Sequence, residues 1–296
     1  MTTQRLTSES FRTWLDGLDA VLFDCDGVLW RGKTAISGAK EAVELLRSLG
    51  KRVVFVTNNS TTSRANYVKK LVSMGIPAVA EDIVTSAWAT VQYMKKQGIQ
   101  GKVYMVGETG LDDELRDGGY EPSGLTDGDR RANPIPSGID QDTQAVVVGL
   151  DRDISYYKLA YATACIREIP GCRFIATNPD QTYPLDGAIT PGGGCFVQFI
   201  EAAVGHPPEA VIGKPSQDLL QTVLSTFNLD PARTCMVGDR LSTDIEFGRR
   251  GGLHTLLVLS GITQEHELSK IKEPMQVPDF YIDSVDVLNH FHSEIK

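Results

Sequence analysis

Residues 20–30, AVLFDCDGVLW, predict a buried strand that carries two acidic residues at its end. Four apolar residues run directly into Asp24 and Asp26 and then into Gly27, which permits a sharp exit from the strand. Because side chains alternate along a strand, Asp24 and Asp26 should point to one side and Cys25 to the other. The two acids form either a functional carboxylate pair or an acidic cap on a strand end.

The overall composition is that of an acidic globular protein. A formal net charge of -9 over 296 residues argues against a nucleic-acid partner, because binding to a phosphate backbone needs a cationic face. No apolar run approaches the roughly 20 residues of a membrane span, and the N-terminus lacks the apolar core of a secretory signal. We therefore expect an intracellular, soluble protein whose five cysteines are reduced thiols.

Units of strand and helix repeat along the chain, as expected of a parallel sheet. RVVFVTNNS (52–60) and TCMVGDR (234–240) are apolar runs that end in polar residues and precede predicted helices. EAVIGKPS (209–216) has the same form, so we expect a core strand that leads directly to Lys214. The sequence therefore predicts an α/β fold with a Rossmann-like parallel-sheet core.

The repeating pattern changes near Gly98, where a second set of strands and helices begins. Its last part, NPDQTYPLDGAITPGGG (178–194), contains many turn-forming residues, and we expect turns there. We assign residues 1–98 and 209–296 to a discontinuous catalytic core. Residues 99–208 are then an inserted α/β cap domain.

Polar side chains occur where four predicted strands end, and ligands of an open parallel sheet bind beyond such carboxyl ends. Crowded carboxylates repel one another unless a cation is present, and all-oxygen ligation suits Mg²⁺. Hydroxyl, amide and ammonium groups can bind a phosphate dianion. A metal on one side and donors on the other describe a phosphoryl clamp. The side chains are those of Asp24 and Asp26; Thr57, Asn58 and Asn59; Lys214; and Asp239 and Asp244. Asp244 is in the first turn of a predicted helix, where we expect it to support the other acids.

Four motifs, DCDGVLW, VTNN, GKPS and GDRLSTD, resemble in order those of the haloacid dehalogenase superfamily of phosphatases. The long insertion between the second and third resembles its members with a large α/β (C2-type) cap. The resemblance implies that Asp24 is the nucleophile that becomes phosphorylated. It also implies that Asp26 is the general acid for the leaving group and then the base for water.

The same resemblance implies roles for the remaining motif residues. Thr57 and Asn58 would bind the transferring phosphoryl group, and Lys214 would orient it. Mg²⁺ would be held by Asp24, the main-chain carbonyl of Asp26, and Asp239.

The second acid, Asp26, indicates which reaction the site carries out. An alkoxide leaving group must be protonated, so a phosphatase needs an acid at this position, whereas the related dehalogenases and P-type ATPases lack one. We expect Asp26 to be partly buried among other carboxylates, which would help it to carry a proton. The chain is thus predicted to hydrolyse monoesters of a small phosphorylated metabolite.

Taken whole, the chain resembles the eukaryotic phosphoglycolate and pyridoxal phosphatase group, also called p-nitrophenyl phosphatases. YYKLAYATACIREIPGCRFIATN and MVGDRLSTDI carry this likeness. The resemblance implies 2-phosphoglycolate as substrate, with pyridoxal 5'-phosphate, glycerol 3-phosphate or broad p-nitrophenyl phosphatase activity as alternatives. It also implies a homodimer formed through the cap. The expected location is the cytoplasm or, if a transit peptide has been removed, the chloroplast stroma, with a role in photorespiration.

Two cap residues, Asn178 and Tyr183, are candidates for contacting the leaving group. Tyr183 lies in a proline-flanked turn that can reach the site, although a half-buried tyrosine in a surface turn would look the same. The animal pyridoxal phosphatases carry a histidine in this turn where this chain has Tyr183, which weakens the pyridoxal 5'-phosphate alternative without excluding it. The nearby TPGGG (190–194) predicts a tight turn in preference to a phosphate cradle.

Two further functional classes fit the sequence less well. A phosphomutase of the same superfamily would keep Asp24 and Asp26, but its small helical cap lies just after the first motif, where this chain has no room. A non-enzymatic binding protein would show a broken motif, and none of the four is broken.

Overall fold

The computed structural model describes residues 3–132, 136–185 and 188–294. The chain divides into two compact units, which are described separately. The first unit comprises Met1–Thr57, Tyr67–Val84 and Lys214–Lys296, and the second comprises Asn58–Asn66 and Thr85–Gly213. The limits of 99–208 predicted for the cap stay a prediction. No helix in the described ranges combines the length and apolarity that crossing a membrane requires.

The strands are short, as is usual in α/β proteins. In chain order they are β1 (Gln4–Arg5), β2 (Ala20–Phe23), β3 (Trp30–Arg31), β4 (Thr34–Ala35), β5 (Arg52–Thr57), β6 (Ile83–Thr85), β7 (Lys102–Val106), β8 (Glu121–Ser123), β9 (Thr143–Val148), β10 (Arg173–Ala176), β11 (Thr182–Leu185), β12 (Ala188–Pro191), β13 (Ala210–Val211), β14 (Thr234–Gly238), β15 (His254–Val258) and β16 (Phe280–Ile282).

The α-helices alternate with most of these strands. They are α1 (Ser8–Asp16), α2 (Ala39–Ser48), α3 (Arg64–Ser73), α4 (Ser86–Lys96), α5 (Thr109–Asp117), α6 (Tyr156–Glu168), α7 (Gly193–Val204), α8 (Gln217–Phe227), α9 (Glu246–Arg250), α10 (Glu265–Leu268) and α11 (Asp286–Glu294). A single π-helical turn, Leu241–Ile245, precedes α9.

The first unit is built on a seven-stranded sheet in the order β1-β16-β15-β14-β2-β5-β6. Strand β2 lies between β14 and β5 and is parallel to both, with Phe23 opposite Val237 on one side and Phe55 on the other. These strands are rich in apolar residues and are buried along almost their whole length, as is typical of parallel sheets whose two faces are covered. The prediction of a Rossmann-like parallel core is confirmed.

The second unit contains a parallel sheet of five strands in the order β13-β10-β9-β7-β8. The prediction that the strand before Lys214 belongs to the core sheet is wrong, because β13 pairs with β10. Ile175 and Ala176 are opposite its two residues. With only two residues, β13 is too short to show an alternation of apolar and polar side chains from which its partner strand could be predicted. Its place in the second sheet therefore follows from tertiary contacts.

Two antiparallel hairpins complete the fold. β3 pairs with β4 shortly after Gly27, whose positive φ of 86° turns the chain back. β11 pairs with β12 and places Tyr183 opposite Thr190, so the turns expected over 178–194 are in part a regular hairpin. The glycines that follow allow close packing, since a Cβ at Gly193 would lie 2.7 Å from the Leu150 nitrogen.

Candidate active site

Lys214 joins two of the predicted site carboxylates. It is buried, and its ammonium donates hydrogen bonds to Asp24 Oδ1 at 2.6 Å and Asp244 Oδ1 at 2.7 Å. A third bond, of 2.9 Å, goes to the carbonyl oxygen of Val56 at the end of β5. Lys214 therefore fixes one oxygen of Asp24 and ties the ends of β2 and β5 together, while its predicted role towards a phosphoryl group stays a prediction.

Asp239, which follows β14, is fixed by hydrogen bonds from backbone nitrogens. Its Oδ2 accepts a hydrogen bond from the Ile262 nitrogen at 2.7 Å, and its own carbonyl accepts one from Thr263. A side chain at Gly27 or Gly261 would overlap this carboxylate, so the two glycines leave the space that it fills. This packing fixes the carboxylate at the edge of the sheet beside Asp24.

Asp24, Asp239 and Asp244 form the carboxylate cluster, in which one oxygen of each lies within 4.8 Å of the others. Burial raises the pKa of Asp24 well above its usual value; Lys214 opposes this rise, and Asp244 and Asp239 add to it. For Lys214 burial acts to lower the pKa, but Asp24 and Asp244 outweigh it and the pKa is raised. Three acids thus lie together while the Lys214 ammonium pairs with two of them, and the excess negative charge fits a bound cation.

The oxygen donors of the carboxylate cluster suit Mg²⁺, which prefers carboxylates and water to nitrogen or sulfur. Asp24 and Asp239 are two of the predicted ligands. Asp244, which was expected to play a supporting role, also has a carboxylate oxygen within 4.8 Å of an oxygen of each of them. Its Oδ2 accepts a hydrogen bond from the Arg240 nitrogen, which fixes the carboxylate at the start of the π-helical turn. The main-chain carbonyl of Asp26 as a ligand stays a prediction.

In the absence of metal, we expect the protein to lose stability as pH rises. Burial and the charge of Asp244 raise the pKa of Asp239 from 3.8 to about 7. Between these two pKa values, Asp239 keeps its proton in the folded protein and has lost it in the unfolded chain. The proton therefore stabilises the fold fully below the unfolded-state pKa, and this stabilisation is lost as pH rises to the folded-state pKa. In EDTA, the melting temperature should fall between about pH 5 and pH 7 and fall less in Asp239→Asn. Equal falls in both proteins would contradict the assignment.

Asp26 lies just beyond β2 but outside the carboxylate cluster. The expectation that it is partly buried is wrong, because its side chain is exposed. Its Oδ1 accepts a hydrogen bond of 2.7 Å from the indole nitrogen of Trp30. Cys25, between the two acids, is buried in the apolar core of the first unit, where burial raises the pKa of its thiol.

Thr57 ends β5 in the first unit, and its side chain is hydrogen-bonded to that of the buried Tyr67. Asn58 and Asn59 belong to the second unit. Asn59 Oδ1 accepts hydrogen bonds from the nitrogen and hydroxyl of Thr61, as in a local turn. Phosphate binding by Thr57 and Asn58 stays a prediction.

Within the second unit, Asn178 and Asp180 contact Asn58. The Asn178 side-chain amide donates to the Asn58 carbonyl at 2.9 Å, and Asn58 donates to Asp180 Oδ2 at 3.1 Å. Asn178 is buried, and its oxygen accepts from the Asp180 nitrogen. Tyr183 is half-buried in β11. These contacts give Asn178 a clear part in shaping the loop after Thr57, while recognition of a leaving group by Asn178 or Tyr183 stays a prediction.

Trp30 and Asp180 contact predicted site residues and were missed from the sequence. Trp30 stands four residues after Asp26, and no spacing rule indicates that its ring turns back to the acid. Asp180 lies in a segment expected to be turns. Its contact with Asn58 joins residues that are 122 positions apart in the chain, so neither contact had a sequence signal.

Comparison with known proteins places this geometry in a family. A model described as haloacid dehalogenase-like hydrolase matches residues 21–121, and a second, described as HAD-hydrolase-like, matches residues 211–288. The chain is 42% identical to phosphoglycolate phosphatase 2 of Arabidopsis thaliana over 96% of this chain and 97% of that protein.

Solved structures agree with the sequence relatives. The p-nitrophenyl phosphatase from Archaeoglobus fulgidus is 32% identical, with a TM-score of 0.80 over 92% of this chain and 99% of that one. A glycerol phosphate phosphatase from Mycobacterium tuberculosis, solved in complex with magnesium, is 30% identical, with a TM-score of 0.78 over 93% of this chain and 77% of that one. With four motifs in order on a parallel core and relatives matched along almost its whole length, the chain belongs to the haloacid dehalogenase-like hydrolase family and is one of its phosphatases.

Proposed function

We propose that the protein hydrolyses phosphomonoesters through a phosphorylated Asp24 and that 2-phosphoglycolate is its preferred substrate, converted to glycolate and phosphate. The observation that carries the proposal is the buried ammonium of Lys214 between Asp24 and Asp244. Because Asp24 Oδ1 is held by this ammonium, Oδ2 is the oxygen available to attack phosphorus. A fixed, desolvated carboxylate is what nucleophilic catalysis requires.

In the first half-reaction, Asp24 Oδ2 forms a bond to phosphorus while the bond from phosphorus to the ester oxygen breaks. Asp26 transfers its proton to that oxygen, so the leaving group departs as an alcohol. In the second half-reaction, Asp26 takes a proton from water, and the resulting hydroxide attacks the aspartyl phosphate. Phosphate leaves, Asp24 is restored, and Asp26 again carries its proton.

We further propose that Mg²⁺ is the cofactor, held by Asp24 and Asp239 with Asp244 beside them. When bound there, it would supply positive charge that keeps the acids ionised and attracts the phosphate dianion. The crowding of three carboxylates, two of which are paired with the Lys214 ammonium, supports this. The magnesium complex of the M. tuberculosis relative, a similar protein, supports it independently.

The preference for 2-phosphoglycolate rests on the A. thaliana relative named phosphoglycolate phosphatase, which is 42% identical. Glycerol 3-phosphate is the second candidate, because the M. tuberculosis structure is of a glycerol phosphate phosphatase. The deciding experiment measures phosphate release with Mg²⁺ from 2-phosphoglycolate, glycerol 3-phosphate, pyridoxal 5'-phosphate and p-nitrophenyl phosphate. We expect the highest kcat/KM for 2-phosphoglycolate, and a higher value for another substrate would overturn this choice while leaving the phosphatase reaction intact.

Asp26→Asn should separate substrates by their leaving groups. Glycolate and glycerol leave as alkoxides that need a proton, whereas p-nitrophenolate leaves without one. We therefore expect kcat/KM for alkyl esters to fall by about 10² to 10⁴, the usual contribution of general acid catalysis, and that for p-nitrophenyl phosphate to fall much less. Steady-state kinetics with both substrate types measures the effect. A uniform fall would argue against Asp26 as the acid.

The oligomeric state is a separate proposal. We propose a homodimer formed through the cap, which the group resemblance implies. Light scattering coupled to size-exclusion chromatography tests it, with about twice the chain mass of 32.3 kDa expected. A mass equal to one chain at micromolar concentration would overturn it.

A further inference from the structure

Trp30 contacts the acid Asp26 and has no role in the reaction as proposed above. Its indole nitrogen donates to Asp26 Oδ1 at 2.7 Å. The tryptophan itself is fully buried, whereas Asp26 is exposed. An exposed carboxylate normally samples several rotamers, so a short hydrogen bond from a fixed donor restricts it considerably.

The local backbone explains how the indole reaches an acid four residues before it. Gly27 adopts a left-handed φ of 86°, and its nitrogen donates to the Trp30 carbonyl at 2.7 Å. The Trp30 nitrogen in turn donates to the Cys25 carbonyl at 3.3 Å. This tight loop between β2 and β3 folds the chain back on itself and places Trp30 directly beside Asp26.

Two side chains of α3 hold the indole in place. The ring of Tyr67 lies 6.0 Å from that of Trp30, measured between centroids, and the Lys70 ammonium lies 4.1 Å from the Trp30 ring centroid. A cation over an aromatic face is attracted to its electron density, and by withdrawing that density it makes the indole N–H a better donor. The Tyr67 side chain is also hydrogen-bonded to Thr57, a predicted phosphate-binding residue, so this one side chain of α3 contacts both Trp30 and Thr57.

We infer that Trp30 is a positioning residue that selects the Asp26 oxygen facing the leaving group. An indole N–H can donate but cannot accept, so it engages Oδ1 as an acceptor and leaves Oδ2 to carry and exchange the proton. The inference rests on the proposed function, because it assumes that Asp26 protonates the ester oxygen. Trp30 itself transfers no proton and touches no reacting atom.

Trp30→Phe tests the inference, since it keeps an aromatic ring against Tyr67 and Lys70 and removes the donor. We expect kcat/KM for 2-phosphoglycolate and glycerol 3-phosphate to fall by about ten-fold, part of the 10² to 10⁴ that a general acid supplies. The kcat/KM for p-nitrophenyl phosphate should change by less than about two-fold, because its leaving group needs no proton. A structural role alone would lower all three equally, and that result would overturn the inference, as would no change in any.

Two controls make the result decisive. Trp14→Phe is the matched substitution, because Trp14 is buried in the same unit, where its ring stacks on that of Phe11. It should leave the ratio of kcat/KM values between alkyl and p-nitrophenyl esters unchanged. If Trp30→Phe does not fold, benzothienylalanine at position 30 replaces the N–H by sulfur at nearly constant shape and should show the same ratio. If the loss of kcat/KM in Asp26→Asn does not depend on the leaving group, the proposed role of Asp26 as the acid fails. If the loss depends on the leaving group in Asp26→Asn but not in the position-30 variants, only the inference about Trp30 fails.

Discussion

Asp24→Asn should abolish turnover while the protein keeps its fold. The amide cannot attack phosphorus, and monoester hydrolysis is so slow without catalysis that no residual pathway compensates. The oxygen of asparagine can still accept the hydrogen bond that Lys214 gives to Asp24 Oδ1. Removing one acid from the carboxylate cluster also relieves repulsion, so the melting temperature in EDTA should not decrease. Phosphate release and thermal unfolding measure the two effects.

Trapping experiments strengthen the test of Asp24. Rapid acid quenching of the parent protein with substrate should give a phosphorylated peptide containing residues 20–30, and the asparagine variant should give none. Because asparagine can deamidate to aspartate, mass spectrometry of each preparation must show the variant intact. Turnover close to that of the parent by an intact variant would contradict the role of Asp24 as nucleophile.

Lys214→Met should have the largest effect on stability. It leaves Asp24 and Asp244 buried without their shared ammonium, and breaking a buried ion pair from one side typically costs about 3 to 5 kcal/mol of unfolding free energy. Activity should fall by at least about 10² because the nucleophile is no longer held. The double variant with Asp244→Asn should recover part of the stability, which a double-mutant cycle by chemical denaturation measures.

Lys158→Met provides a matched control in the second unit. Lys158 is also buried and is paired with the buried Asp151 at 2.8 Å, but neither residue belongs to the predicted site. We expect a comparable loss of unfolding free energy, with kcat/KM remaining within a few-fold of the parent value at temperatures where both fold. If Lys158→Met lowers turnover as much as Lys214→Met, general destabilisation explains the loss, and the assignment of Lys214 to the site is wrong.

The core of the fold could be predicted because its strands are buried on both faces. β2, β5 and β14 are continuous apolar runs that end at polar residues, and their parallel arrangement follows from the helices between them. The same logic placed Asp24 and Asp239 at a single sheet edge.

The remaining features depend on tertiary contacts that leave no local pattern. Helix α5 is rich in polar residues, and only Leu111 and Leu115 supply apolar spacing, so it was not predicted. The membership of β13 in the second sheet is decided by its partner β10. The closeness of Asp244 to the other acids depends on a π-helical turn, and the bond from Trp30 to Asp26 depends on a glycine with positive φ.

The division into units has a consequence for protein engineering. The chain passes between the units at four peptide bonds, and two of these, from Thr57 to Asn58 and from Gly213 to Lys214, each adjoin a predicted phosphate-site residue. A chimaera that receives its second unit from another phosphatase would therefore have both of these splice junctions next to the chemistry. We expect chimaeras to keep phosphatase activity more often when the donor segments include the residues at positions 57 and 214 together with their adjoining residues. Chimaeras joined at the two bonds named above should lose activity more often.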